Sequence, residues 1–322
     1  MSSSPSILVV RLSAIGDLVL VAPVVAQLHH EGYEVSLLCK DAYRSVALCL
    51  PGVSEVHSWE KDRVKIGAHG SNFTAVLDLQ GTSKSKRWTR GLKAKVLTYE
   101  KPYLRRALLL AFGQRFALDS VVSRYFKAAQ TLLQNEEEAQ AELVLPKTTL
   151  TLPEGPYIAV VIGGAYAGKR LNYDQWRSAI RELLKLELPI ALVGGPEEAG
   201  IGESLEQPLG SGVSNYCGTT TIIEGMALVK EAALVISGDT GFMHAAANFK
   251  RPLISLWGAT HPSLGFAPWP QYSAQSQIIT KGRSPISKHG KIHWWQRNPM
   301  KKFPVEEIAV IARQMLKDKT AP

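Results

Sequence analysis

Short apolar runs alternate along the chain with longer stretches in which apolar residues recur every three or four positions. Ile7–Leu12 (ILVVRL) is an apolar run of the kind that forms a strand covered on both faces. Ser13–Asp17 turns the chain, and Leu18–His30 predicts a helix with Gly32 just beyond its end. Strands are expected over Glu34–Leu38, Val53–His57, Thr74–Leu79 and Ala94–Thr98. From Pro102 to Gln140 the period turns helical, with Leu104, Ala107, Leu108 and Ala111 at helical spacing. Leu145–Gly155, punctuated by Pro146, Pro153 and Gly155, reads as a linker. The alternation then restarts. Strands are expected over Tyr157–Ile162, Pro189–Val193, Ala233–Ser237 and Leu253–Leu256, and helices over Tyr173–Leu186, Glu197–Leu205, Ile222–Lys230 and Gly241–Asn248. Pro304–Lys317 closes the chain as an amphipathic helix. Two successive βα halves imply two mostly parallel sheets covered by helices.

Composition supports this picture and narrows it. With 322 residues, 45% of them apolar, the chain can build two cores and is too apolar for global disorder. Cys39, Cys49 and Cys217 show no CxxC spacing, which fits a reducing compartment and no zinc cluster. No apolar run approaches the roughly 20 residues that cross a bilayer. The opening Met-Ser-Ser-Ser-Pro carries no basic residue and reads as the lead into a strand, not as a targeting segment. Charge is more informative. The formal net charge is +9, and Thr240–Val305 contains no Asp or Glu, so this stretch would collect anionic groups. A second basic run, Lys84 to Arg106, includes Lys84, Lys86, Arg87 and Arg90 with Trp88, Tyr99 and Tyr103 interleaved. Three readings stand for it: a solvated face, a site for a phosphorylated acceptor at a membrane surface, or a nucleic-acid contact. No recognised nucleic-acid motif accompanies the charge.

Ligands of open α/β sheets sit beyond the carboxyl ends of strands, so the strand-to-helix turns hold the candidate chemistry. The first turn, Ser13-Ala-Ile-Gly-Asp, brings Gly16 for close backbone approach and Asp17 at a helix start; Asp17 is either an N-terminal cap or a functional carboxylate facing a cleft. The turn Gly163-Gly164-Ala-Tyr-Ala-Gly-Lys169-Arg170 nearly matches a P-loop, but Arg170 stands where that motif needs a hydroxyl for magnesium. What remains suits a phosphate group without a metal. Ser237-Gly238-Asp239-Thr240-Gly241-Phe-Met-His244 places small residues and a hydroxyl at a helix N-terminus, where anions are favoured. Asp239 is suited to accept bonds from sugar hydroxyls, while His244 is either a core residue or a functional one. Gly194-Gly-Pro-Glu197-Glu198 adds Glu197, either a ribose ligand or a helix-start carboxylate. No D-x-D pair, H-E-x-x-H or G-x-S-x-G occurs, and no G-x-G-x-x-G follows the first strand, so an NAD site has no support there.

Together, ILVVRLSAIGDLVLVAPVVAQL, the Gly-Lys-Arg turn, GGPEE, and SGDTGFMHAAA followed by RPLISLWGATHP resemble glycosyltransferase family 9, the ADP-heptose:lipopolysaccharide heptosyltransferases. The resemblance implies a GT-B fold: two Rossmann-like α/β domains with parallel sheets facing a central cleft. The expected division is 1–150 for an acceptor domain, 151–303 for a nucleotide-sugar domain, and 304–322 for a helix crossing back to the first domain. It implies an inverting, metal-independent heptose transfer from ADP-heptose to a hydroxyl of the lipopolysaccharide inner core, with no cofactor. By position, Asp17 matches the general base, and Lys169 matches the lysine on the donor diphosphate. Glu197 falls where a glutamate contacts the nucleoside. Asp239, Thr240, Gly241 and His244 match the donor-binding element, and Ser13, Gly16, Gly163, Gly164 and Gly238 line the loops. Lys84, Lys86, Arg87 and Arg90 are assigned to a lipid-linked acceptor. The expected place of action is the cytoplasm, peripheral on the inner membrane, with no nucleic-acid partner. The rivals are a transferase for another nucleotide sugar, a P-loop NTPase and a basic nucleic-acid-binding protein.

Overall fold

The computed structural model describes residues 4–69, 73–134 and 141–318. The first half runs β1 (Ser6–Val10), α1 (Ile15–Val19), α2 (Ala22–His30), β2 (Glu34–Cys39), α3 (Arg44–Ala47), β3 (Val53–Ser58), α4 (Arg63–His69), β4 (Ala75–Asp78), α5 (Ser83–Thr89), β5 (Lys95–Thr98), α6 (Tyr103–Phe112) and α7 (Val121–Ala129). The second runs β6 (Ile158–Val161), α8 (Tyr173–Leu184), β7 (Ile190–Val193), α9 (Ala199–Leu209), β8 (Val213–Asn215), α10 (Ile222–Glu231), β9 (Leu234–Gly238), α11 (Gly241–Asn248), β10 (Leu253–Trp257), β11 (Gln275–Ile279) and α12 (Glu306–Asp318). Described strands pair in parallel throughout.

The first sheet has the order β3-β2-β1-β4-β5 and the second β11-β10-β9-β6-β7-β8. In each, the chain builds outward on one side of its first strand and then returns to the other side. That reversal creates a switch point between β1 and β4, and another between β6 and β9. The crevice beyond the carboxyl ends of such a pair is where doubly wound sheets bind ligands. Register brings the relevant ends together: Val10 lies opposite Asp78, and Val161 opposite Ser237.

The strands at these switch points are apolar on both faces because helices cover both sides. Leu8, Val10, Leu38 and Val76 pack with Trp59 in one core, and Ile158, Val160, Ile236, Ile254 and Trp176 form the other. The three cysteines are free and buried. Burial pushes the Cys39 and Cys49 thiols up to about 11 and Cys217 to about 12, so none offers a thiolate at neutral pH.

Several expected elements shift. The single helix over Leu18–His30 is two helices: Pro23 lies in the first turn of α2, where its missing N–H costs nothing, and it cannot continue the bonding of α1. The helical stretch from Pro102 breaks at Gly113, whose φ of 86° no helix accommodates, and restarts where Ser120 caps α7; its last part, 135–140, lies outside the described residues. β8 and β11 at the two sheet edges carry polar residues and no apolar run, which is why the pattern does not show them.

The chain forms two compact units, Met1–Tyr103 with Asp119–Pro146, and Leu104–Leu118 with Lys147–Pro322. The later boundary falls at Pro146/Lys147, and the segment Leu104–Leu118, which holds nearly all of α6, groups with the second unit. So does α12. Ile308 and Ala312 on its apolar face join the second core, and the helix packs on α8, β10 and β11.

Candidate functional site

In the first unit the turn after β1 carries Ser13, Gly16 and Asp17. Asp17 sits in the first turn of α1, and its Oδ2 accepts the Ala14 N–H at 3.3 Å, as a helix-start carboxylate does. The same oxygen forms an ion pair with the Arg11 guanidinium. Oδ1 takes part in neither contact, and the side chain keeps 23% of its exposure. Capping and a functional role for this carboxylate therefore do not exclude each other, since both contacts fall on one oxygen.

Arg11 is the residue that pattern reading passes over, because it hides inside an apolar strand run. Its Nε donates to Ser13 O at 3.0 Å and its Nη1 to Leu79 O at 2.7 Å, and the guanidinium lies over the Tyr125 ring. Burial opposes its charge, but Asp17 and the two tyrosines nearby more than compensate, so its proton is held more firmly than usual. A fixed cation thus sits behind the candidate base.

The neighbouring turn after β4 is built around Asp78. Its Oδ1 accepts the Gln80 and Gly81 N–H groups, each at 3.0 Å, while Gln80 Oε1 accepts the Leu12 N–H at 2.9 Å. Burial pushes the Asp78 carboxyl above the usual range, against the pull of those bonds. Gly81 has φ +54° and lies so close to Tyr99 O that a Cβ would meet it at 2.6 Å. Thr82 then caps α5, accepting the Ser85 N–H at 3.2 Å. This helix carries three of the four predicted acceptor cations, Lys84, Lys86 and Arg87, and Arg90 is its C-cap. Lys84 lies over the Trp59 ring, Arg87 and Arg90 are exposed, and Lys86 is half-buried.

In the second unit Lys169 and Asp239 meet at the β6/β9 switch point. Lys169 Nζ reaches Asp239 Oδ2 at 2.7 Å and donates to Asp239 O at 3.2 Å, with both side chains mostly buried. Lys169 is not at a helix start. It ends a 3₁₀ turn, Arg170 is extended, and α8 begins only after Asn172 caps it. A P-loop needs its lysine at the helix N-terminus, so that likeness is of residues and not of geometry.

Backbone crowding fixes the lysine. A Cβ on Gly238 would come within 2.5 Å of Lys169 O, and one on Gly290 would meet Lys169 Cγ at 2.6 Å. Gly168 is packed as tightly, since a Cβ there would lie 2.4 Å from Gly290 O and 2.5 Å from Ala259 Cβ. Gly168→Ala should therefore cost about 1–3 kcal/mol of stability. The urea midpoint measures this, and an unchanged midpoint would show that the loop yields freely.

Thr240 caps α11: its hydroxyl accepts the Met243 N–H at 3.3 Å and contacts Ser237 Oγ at 2.9 Å. The first-turn amides of Gly241 and Phe242 belong to the donor end of the helix, which favours an anion. Asp239 and His244 are both buried. The GGPEE turn separates its two glutamates. Glu197 is exposed, whereas Glu198 is buried, accepts the Gly195 N–H at 3.0 Å and pairs with Arg170 at 3.3 Å. Gly163 and Gly194 press on Glu198: a Cβ on either would approach it to 3.0 and 2.8 Å. Gly164 likewise stands against Arg170.

The structure thus brings Ser13, Gly16 and Asp17 together in one unit. In the other it joins Lys169, Asp239, Thr240 and Gly241, with Gly238 as the backbone that permits the approach of Lys169, while Gly163 and Gly164 stand against Glu198 and Arg170. Arg11, Asp78, Gly168, Gly290 and the Arg170–Glu198 pair are additions. Among the described residues, no three His, Cys, Asp or Glu side chains stand together as a metal site would require.

The family model of glycosyltransferase family 9 (heptosyltransferase) matches residues 64–293. Lipooligosaccharide heptosyltransferase 2 of Haemophilus influenzae is 31% identical over 134 residues, a match that takes in 39% of this chain and 39% of that protein. The structure of Escherichia coli ADP-heptose lps heptosyltransferase II has a TM-score of 0.76 at 18% identity, covering 98% of this chain and 100% of that one. Escherichia coli heptosyltransferase WaaC with ADP has a TM-score of 0.71 at 18% identity, covering 96% and 99%. At such identity the structural likeness speaks for the fold, two parallel sheets with helices of the GT-B type. The family match covers most of the sequence, including the turns after β4, β6 and β9, and the chain belongs to glycosyltransferase family 9 (heptosyltransferase).

Proposed function

We infer that the protein transfers a heptose, with inversion and without a metal, from ADP-heptose to a hydroxyl of the lipopolysaccharide inner core. The observation that carries this reading is the Lys169–Asp239 pair beside the N-terminus of α11 at a switch point. Ammonium has three N–H bonds, and Asp239 engages it through two oxygens, which leaves one direction for a diphosphate. The helix terminus adds positive potential of the kind a metal supplies elsewhere.

In the proposed reaction Asp17 takes the proton of the acceptor hydroxyl as its oxygen attacks the anomeric carbon. The bond from that carbon to the diphosphate breaks on the opposite side, and ADP departs with the electron pair. Lys169 and the amides of the α11 N-terminus receive the charge that develops on the leaving oxygen. Asp239 aims Lys169, Glu197 or the buried Glu198 faces the nucleoside, and His244 supports the donor element. Lys84, Lys86, Arg87 and Arg90 meet the anionic groups of a lipid-linked acceptor on the cytoplasmic face of the inner membrane. The names of the relatives, including one structure with ADP, favour this donor over other nucleotide sugars.

ADP should raise the melting temperature, and the rise should persist in EDTA. Lys169→Ala should weaken ADP binding about 10- to 100-fold in calorimetry, the loss of one charge-assisted bond. It also uncovers the Asp239 charge beside the diphosphate, so adding Asp239→Asn should restore part of the affinity. ADP affinity that needs Mg²⁺, or that ignores Lys169→Ala, would move the diphosphate to another place.

A further inference from the structure

The second unit exposes an aromatic and cationic surface that the transfer chemistry leaves unused. The segment 284–298 is tied down on one side: Gly168 N–H donates to Gly290 O at 3.1 Å, and Asn298 Nδ2 donates to Ala167 O at 3.0 Å. Between these anchors the chain makes a tight turn. The Gln296 N–H donates to His293 O and the His293 N–H to Gln296 Oε1, both at 2.9 Å. That double closure puts Trp294 and Trp295 at the two corners. Trp294 is 92% exposed and Trp295 63%. Trp295 stacks on His293 at 4.7 Å and meets Trp294 edge-on at 5.4 Å, so the three rings form one aromatic knob.

Beside the turn lies the carboxyl end of α6. Arg283 donates to Leu110 O at 2.7 Å, and Leu110, Arg283, Gln296 and Arg297 line a common cavity of about 240 Å³. The helix ends on Phe112, 59% exposed, with the Arg115 guanidinium over its ring. Neither Lys101–Leu118 nor Thr240–Val305 contains an acid. Large exposed aromatics among cations, with acids absent from both segments, are costly in water and complementary to a surface that is apolar below and anionic above.

We propose that this face seats on an anionic phospholipid bilayer, with Trp294, Trp295 and Phe112 in the interfacial layer and Arg115, Arg283 and Arg297 on lipid phosphates. Indole rings favour that layer, and each cation near an anionic surface adds to the attraction. No helix of the described residues is long and apolar enough to cross a membrane, so attachment of this kind is peripheral.

Flotation with phosphatidylcholine vesicles, with and without phosphatidylglycerol, tests the proposal in the absence of nucleotide. The full chain should bind the phosphatidylglycerol vesicles and release as salt rises. Trp294→Ser with Trp295→Ser should lower partition on the order of ten-fold or more, and Arg297→Gln about five-fold. Unchanged melting of the tryptophan variant keeps the comparison valid, as both side chains are exposed. Equal binding by the variants, or equal binding to pure phosphatidylcholine, overturns the proposal. A tryptophan variant that binds vesicles normally but loses transfer to a lipid-free acceptor saccharide overturns it too, and assigns the knob to sugar stacking. Lipid binding without transfer, or transfer without lipid binding, separates this surface from the transferase reading.

Discussion

Asp17→Asn should lower turnover about 10²- to 10⁴-fold, the usual effect of removing a general base, while ADP affinity stays within error. The expectation rests on how the carboxylate is held. Both fixed contacts fall on Oδ2, from the Arg11 guanidinium and the Ala14 N–H. An asparagine fits the same space with its carbonyl oxygen toward Arg11. Its NH₂ then occupies the position of Oδ1 and presents a donor where the reaction needs an acceptor. Shape is kept and basicity is lost. Single-turnover measurement with saturating donor isolates the chemical step, and a parallel melting curve excludes unfolding. An Asn variant with near-normal turnover would remove Asp17 from the mechanism and leave it the helix cap that its bond to Ala14 already makes it. ADP should be indifferent, because its proposed contacts belong to Lys169 and α11, in the other unit.

Sequence pattern shows this architecture well where elements are covered on both faces. β1, β6, β9 and β10 are apolar runs because helices cover both sides of the sheets. The glycine-bearing turns after β6 and β9 are legible for a related reason: a Cβ on Gly238 would collide with the backbone of Lys169, and one on Gly163 would press on the Glu198 side chain. Edge strands do not announce themselves. β8 is three residues long, and β11 is Gln-Ser-Gln before its isoleucines, because one side of each meets no neighbouring strand. The helical period of α6 is plain, but its neighbours Arg283 and the 284–298 segment lie far along the chain, where no local pattern points to them.

The site shows the same split. Asp17, Lys169 and Asp239 are legible because they sit in or beside the strand-to-helix turns, where open α/β sheets bind their ligands. Arg11 is not, since its role depends on Leu79 and Tyr125, far from it in sequence. Choosing between Glu197 and Glu198 needs three dimensions. Their positions differ by one residue, yet one points to water and the other fills the space that Gly163 and Gly194 leave.

Arg11→Leu should cost about 3 kcal/mol of stability, the low end for breaking a buried ion pair. The low end applies because Asp17 keeps some contact with water, whereas Arg11 has 7% of its side chain exposed. Leucine is close in volume to the stem of arginine but satisfies nothing at its end. The carbonyls of Ser13 and Leu79 lose their donor, and Asp17 loses its counter-charge. Urea denaturation reads the stability change. Arg11→Lys separates charge from geometry: one ammonium reaches one or two of these oxygens, whereas the planar fork reaches all three. Arg11→Lys should therefore recover part of the stability but little of the turnover, since the orientation of Oδ1 depends on Oδ2 being held from a fixed direction. If Arg11→Lys restores both in equal measure, the cation acts through its charge alone. If Arg11→Leu leaves the urea midpoint unchanged, the pair is not a structural support, and the placement of Asp17 depends on its bond to the Ala14 amide.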